Sequence, residues 1–312
     1  MSNTCSIGWY LLVMTHDTVV TAASTFLTAN ARLLDQHRFR LLTGVGDPQA
    51  ALSALAGYRN ADGGYGHGLE PDLRSPESQP AAALHAFEVM AELAPVTTTQ
   101  AEQLCDWLLT VTLPDGGLPF ALPVTHPESC APFWVQADPA TSSLQITAVV
   151  ALHAHRVAAH DRAVAAHPWL ARATEFCVSA VRRLREQRRT PHAIELAFAV
   201  RFADALSGRH PETARELLDV LGTFVPADGT VHVQGGAAEE HMRPLDFAPL
   251  PGPARALLSP EAVEADLQRL RSGQADDGGW TVDFVSYSPA AALEWRGYTT
   301  VNALRILTAH GG

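Results

Sequence analysis

The sequence predicts an all-α protein, a single α/α toroid in which about five to six pairs of inner and outer helices alternate around a closed ring. Three observations predict it: a recurring Asp-Gly turn, Ala-rich apolar segments after the turns, and segments with one charged face before them. The turns are 60–65 (NADGGY), 113–118 (LPDGGL), 226–230 (PADGT) and 275–280 (ADDGGW). Asp62 to Asp115 is a step of 53 residues, Asp115 to Asp228 one of 113, or about two steps, and Asp228 to Asp277 one of 49. The skipped turn is due near 185–191, where the chain passes between helices without glycines. Asp-Gly suits such places because glycine supplies the positive φ that ends a helix and reverses the chain.

Inner helices are expected at 77–93, 142–158, 191–206 and 290–309, where small residues let neighbours approach closely. Outer helices are expected at 49–58, 100–112, 169–187, 212–224 and 261–272, each with a polar stripe for solvent. Segment 239–253 stands where another inner helix is due. It holds Pro244, Pro249, Pro251 and Pro253, which a helix interior does not tolerate, so one wall should be irregular. The only short alternating run is 229–234, and neither a βαβ rhythm nor a Gly-rich phosphate loop occurs. The expected organisation is an N-terminal extension over 1–20 followed by the toroid domain over 21–312.

With 312 residues, 47% of them hydrophobic, the chain can bury a large core. Its net charge of −11 argues against nucleic acid or an anionic membrane surface as partner. The basic run 182–189 suits the solvated face of an outer helix. Cys5, Cys105, Cys130 and Cys177 form no CxxC pair, so neither a disulfide framework nor a zinc-finger spacing is present, and a reducing, cytoplasmic setting is expected. The apolar stretch 7–14 is too short for a membrane span and lacks the preceding basic residues of an export signal.

The turn pattern resembles the superfamily of terpenoid cyclases and protein prenyltransferase β-subunits, whose repeats carry an Asp-Gly-Gly-aromatic turn between outer and inner helices. The match covers most of 45–309 and is best at 58–66, 114–120 and 274–280, the last similar to the Gln-and-Trp repeat of squalene–hopene cyclases. The segments 66–76 (GHGLEPDLRSP), 246–249 (DFAP) and 288–297 (SPAAALEWRG) resemble stand-alone actinobacterial proteins of prenyltransferase or squalene-oxidase-like type. Three departures limit what the resemblance implies. The Asp-x-Asp-Asp acid of class II cyclases is absent, the Asp, Cys and His zinc set of protein prenyltransferases is not recognisable, and the metal motifs of class I terpene synthases are missing.

Loops running from outer to inner helices should emerge at one mouth of the ring, where inner-helix N-termini favour an anionic or electron-rich ligand. The first loop offers Tyr65, His67, Glu70, Asp72 and Arg74. Glu70 and Asp72 would share one side of an extended loop, so one carboxyl could stay protonated beside the other. Asp72 pairing with Arg74 and Glu70 capping a turn would be the structural alternative. His67 with the two carboxylates could also ligate a metal, although one His and two acids in a short loop is a common coincidence.

The second loop carries Phe120, Phe133, Trp134 and Asp138, whose aromatics could line a pocket or steady a cation, or pack the core. The irregular wall provides His241, Arg243, Asp246 and Phe247, and the last loop and helix provide Asp283, Phe284, Tyr287, Glu294, Trp295 and Arg296. Glu294 faces the cavity or pairs with an arginine. His153, His155, His160 and His167 read as surface or packing residues without matched carboxylates.

The leading expectation is a terpene-cyclase-like enzyme acting on a small isoprenoid-type substrate. Asp72, Glu70, Asp246 and Glu294 would be its acid–base set, with Asp72 the first choice of acid. Tyr65, His67, Phe133, Trp134, His241, Phe247, Asp283, Tyr287, Trp295 and Arg296 would bind substrate. No cofactor is expected, Mg2+ entering only with a diphosphate substrate. Two alternatives stand beside it: a carbohydrate-active hydrolase or lyase on a helical toroid, and a non-catalytic small-molecule or protein-binding toroid.

Overall fold

A computed structural model describes residues 16–311, so Cys5 and the apolar stretch 7–14 lie outside the described residues. Helices dominate the described residues, in the order α1 (His16–Asn30), α2 (Leu33–Leu42), α3 (Pro48–Ala56), α4 (Pro80–Glu92), α5 (Thr99–Val111), α6 (Pro132–Val135) and α7 (Leu144–Ala158). There follow α8 (Arg162–Ala166), α9 (Pro168–Glu186), α10 (Ala193–Leu206), α11 (Pro211–Leu221), α12 (Pro244–Phe247), α13 (Pro260–Ser272) and α14 (Pro289–Ala309). The only strands among the described residues, β1 (Val231–His232) and β2 (His241–Met242), form one short antiparallel pair. Helix starts are marked by Pro48, Pro80, Pro168, Pro211, Pro260 and Pro289, each at a first-turn position where its missing N–H costs nothing.

Three of the Asp-Gly turns are closed by the same hydrogen bonds. Gly63, Gly116 and Gly278 donate to the carbonyls of Asn60, Leu113 and Ala275, and those three residues donate back to Gly64, Gly117 and Gly279. Asp62, Asp115 and Asp277 each accept the N–H of the second glycine, at 2.9, 3.2 and 3.1 Å. The first glycine has φ near +90° in all three, and it also seats the turn on a neighbouring helix. A Cβ would meet the Gln103 carbonyl of α5 at residue 63, that of Arg172 in α9 at 116, and that of Ala22 in α1 at 278, the last at 2.2 Å. At the skipped position Arg188, not a glycine, takes the positive φ between α9 and α10.

Packing proceeds from α4 to α7, α7 to α10, α10 to α12, α12 to α13, α13 to α14 and α14 to α2, and α2 in turn touches α4. Helices α5, α9 and α11 pack on one another and on α4, α7 and α10 respectively. The main core fills the space around α4, α7 and α10, and a second cluster built on Phe26, Leu27, Phe39, Trp280, Val301 and Leu304 joins α1, α2 and α14. The helix α1 begins inside the segment read as an extension, and its Val19 and Val20 already pack on that second cluster. The proline-rich wall is less irregular than expected, because Pro244 and Pro253 each begin a short helical turn.

His153 and His155 of α7 are buried, not at the surface. The Nε2 of His155 donates to the Thr174 hydroxyl at 2.8 Å, since that hydroxyl spends its own hydrogen on the Leu170 carbonyl. Its Nδ1 is buried without a partner. Burial, then the charges of His210 and Arg209, push its pKa down to about 4. A depressed pKa means that stability present above the ordinary value near 6.5 is lost as pH falls toward 4, by roughly 3 kcal/mol. Denaturant unfolding at pH 7, 5 and 4 should therefore show a steeper acid loss for wild type than for His155→Asn. Parallel losses would assign the acid sensitivity elsewhere.

Candidate functional site

The loop between α3 and α4 turns tightly at Glu70-Pro71-Asp72-Leu73, closed by Leu73 N–H donating to the Glu70 carbonyl at 3.0 Å. This is a turn rather than the extended run expected, yet both carboxylates are buried, each at 5% exposure. Pro71 fixes its own φ, and the Asp72 N–H donates to Oε1 of Glu70 at 3.3 Å, which holds the two acids side by side.

Asp72 joins three loops. Its carbonyl accepts the N–H of Ala131 at 2.8 Å, its Oδ1 that of Tyr287 at 3.0 Å, and its Oδ2 the indole N–H of Trp295 at 2.7 Å. Burial pushes its pKa up, against those two hydrogen bonds, and the charge of Glu70 adds to the rise. Arg74 does not pair with Asp72. It donates to Oε2 of Glu294 at 2.6 Å, tying the first loop to α14.

Glu70 reaches the other way, to Nε2 of His85 on α4 at 2.9 Å. His85 leads into a buried chain of charge that the sequence reading missed. Glu88 lies one turn further on α4, and its Oε1 stands 3.2 Å from both the Tyr298 hydroxyl and Arg38 Nη2. Arg38 of α2, 2% exposed, also donates to Glu92 at 2.6 Å, and Arg305 of α14 pairs with the same carboxylate. Burial disfavours charge on both His85 and Glu88. The carboxylates beside His85 outweigh it and raise that pKa, and Arg38 and His85 hold Glu88 well below the usual range. The His85 ring also stands edge-on to Trp295 and Tyr298, at 6.0 and 5.2 Å between centroids.

The structure thus brings together Glu70, Asp72, Glu294, Tyr287 and Trp295. Phe133, 46% exposed, packs edge-on to Tyr287 at 5.6 Å and beside Trp134, which stacks on Phe120 at 4.6 Å. Other expected members fall elsewhere. Tyr65 is fully buried and donates its hydroxyl to Gln100 of α5, so it serves the core. His67, exposed and with φ of +55°, turns to the Asn60 side chain at 2.8 Å. Phe247 is fully buried in the main core. Arg296 forks onto Asp277 at 2.7 and 2.9 Å and covers the Phe26 ring, bracing the last turn.

Asp246 caps α12 through the Arg243 N–H at 2.7 Å, and its contacts do not reach Glu70, Asp72 or Glu294. Burial, with help from Asp266 and Asp283, pushes its pKa up to about 6. Asp283 is instead bonded to the Arg243 side chain at 3.3 Å, and the His241 ring lies tilted against that of His232 at 5.1 Å. Its place in irregular chain grouped Asp246 with the other acids, but it sits in α12, which packs on α13. His167, read as lacking a carboxylate, stands 3.1 Å from Asp106.

His67, Glu70 and Asp72 turn to three different partners, so they do not form a metal-ligand set. No group of three or more His, Cys, Asp or Glu side chains converges in ligand geometry among the described residues. Cys105, Cys130 and Cys177 are free thiols. A separate open groove of about 550 Å3 lies where the Asp-Gly turn is skipped, lined by Asp115, Phe120, Asp138, Arg183 and Glu195. Its Asp138 caps its own loop by accepting from Ala140 and Thr141. No helix of the described residues is long and apolar enough to cross a membrane. No protein-family model matches the chain, and no curated protein matches it.

Proposed function

We propose that this protein is an acid–base enzyme acting on a small polar, carbohydrate-type substrate, a hydrolase or lyase built on a helical toroid, with Asp72 as its proton donor. The observation that carries the reading is the adjacent buried pair Glu70 and Asp72, one held by His85 and the other by the Trp295 indole N–H. General acid–base chemistry needs a carboxyl that can hold its proton, and burial raises the pKa of Asp72. The helices behind the pair carry Arg38, Glu88, Glu92, Tyr298 and Arg305, which pair among themselves. An interior of charged and hydroxyl groups suits a polar substrate better than a hydrocarbon chain.

The toroid part of the reading is supported by the succession of packed helices that returns from α14 through α2 to α4, and by the last Asp-Gly turn resting on α1. A second reading, acid-initiated chemistry on an isoprenoid, is favoured by one feature. Phe284 and Tyr298 meet Trp295 edge-on at 5.3 and 5.5 Å, and these rings could stabilise a cation beside Asp72. The test is to incubate the protein with neutral and uronate-bearing oligosaccharides and, separately, with isoprenoid alcohols and diphosphates plus Mg2+, following consumption by mass spectrometry. Consumption of a saccharide is expected. Consumption of isoprenoids alone would replace the first reading by the second. A saccharide panel that is neither consumed nor stabilising in thermal unfolding would overturn the first.

A further inference from the structure

The charges of α4, α7, α10 and α14 do not all find partners among the described residues. Arg38 and Arg305 are matched by Asp35, Glu88 and Glu92. Arg156 of α7 and Arg201 of α10, on two helices packed directly together, make no ion pair and no side-chain hydrogen bond among the described residues. Both are half-buried, and Nε of Arg201 is fully enclosed without an acceptor. His153, one turn before Arg156 and 2% exposed, leaves its Nδ1 unpartnered as well.

Arg156 and Arg201 lie on packed helices, α7 in turn packs on α4, and Arg156 stands one turn from the buried His153. The charge environment agrees with that placement: Arg156 feels the charges of Arg201, Glu88, Arg305 and Asp204, and His153 those of Glu88, Arg156, Arg201 and His85. Asp204 is the nearest unclaimed acid by sequence, but its Oδ1 accepts the Ala254 N–H at 2.8 Å. Arg156, in the last turn of α7, complements that helix dipole, but Arg201 lies in the middle of α10 and buries an N–H without an acceptor.

We propose that Arg156 and Arg201 form the cationic half of a binding site for a small oxyanion, a carboxylate or phosphate group, enclosed by α4, α7, α10 and α14. Planar guanidiniums match such groups with paired hydrogen bonds, and a bound oxyanion removes the repulsion between them. The unpartnered Nδ1 of His153 adds a further polar contact to the wall. This site does not depend on Asp72 or on the nature of the reaction.

Titration calorimetry with inorganic phosphate and with acetate, at constant ionic strength set by chloride, tests it. At least one of the two is expected to bind, the phosphate and acetate arms telling a phosphoryl from a carboxylate ligand. Arg156→Gln and Arg201→Gln should each weaken that binding at least tenfold, and each should raise the melting temperature in anion-free buffer by relieving repulsion. Arg182→Gln, on the outer surface, should change neither. Arginine modification by phenylglyoxal, mapped on wild-type protein by peptide mass spectrometry, gives a readout independent of any variant: the bound anion should protect Arg156 and Arg201. No binding of either anion by wild type, or binding with neither protection nor sensitivity to the two substitutions, would overturn the proposal.

Discussion

Arg38→Met is expected to lower the free energy of unfolding by about 3–5 kcal/mol, the largest loss of any single change in the charged interior. Arg38 is the cation that Glu88 and Glu92 share, and it lies over the Tyr298 ring at 5.0 Å. Methionine fills much of the same volume, so the cost comes from stranding charge, not from a cavity. Arg305 can still neutralise Glu92, but it stands 3.8 Å from Glu88, which would be left buried with a weak partner. Urea titration at pH 7 measures the loss. A companion variant, Arg38→Met with Glu88→Gln, should recover part of it, because the stranded charge is then gone. A loss below about 1 kcal/mol in the single variant would mean that water reaches this cluster.

Asp72→Asn is expected to cut turnover by roughly 10²–10⁴-fold, since the amide has no acidic proton to deliver. It is not a silent change in the fold. The carboxylate accepts two N–H groups, one on each oxygen, and asparagine offers one oxygen and one donor. One of the two bonds is lost at a cost of about 1–3 kcal/mol, so the assay belongs well below the melting temperature of the variant. Trp295→Phe separates chemistry from structure. It keeps the acid and removes a hydrogen bond that favours the ionised form, so the Asp72 pKa should rise further. A general acid works while protonated, and the fall in kcat with rising pH should then move to higher pH. An unmoved profile, or full activity in Asp72→Asn, would remove Asp72 from the proton transfer.

Among the described residues, the nine longer helices after α2 were legible because their signals are local, whereas the short α6, α8 and α12 were not expected. Asp62, Asp115 and Asp277 announce their turns, and prolines and small polar caps announce the helix starts within a few residues of the expected bounds. The segment 33–42 (LLDQHRFRLL) gave no such sign. Its Asp35 and Arg38 look like solvent-facing charges until α4 and α14 supply Glu88, Glu92 and Arg305, and one sequence does not reveal that pairing.

The same reason hid half of the candidate site. His85, Glu88 and Glu92 were passed over as part of an Ala-rich packing helix, although their i, i+3, i+7 spacing on an otherwise apolar segment marks a single polar stripe. That stripe was the available signal. Asp72 with Trp295 and Tyr287 came from adjacency to the loops, and the loops do meet. Asp246 failed the same logic, because a proline-rich stretch had been read as open loop where Pro244 in fact starts a helical turn.

The seat of Gly278 on Ala22 brings together points about 250 residues apart along the chain. In kinetic terms that seam is a very long loop, and contacts of such separation form late, after the neighbouring helix pairs have assembled locally. Until it forms, α1 and α2 have no α14 to rest against, and Arg38 and Asp35 stay in water on the edge of an open helical stack. The charges that are most expensive to dehydrate are therefore the last to be dehydrated, at a moment when their partners on α4 are already in place.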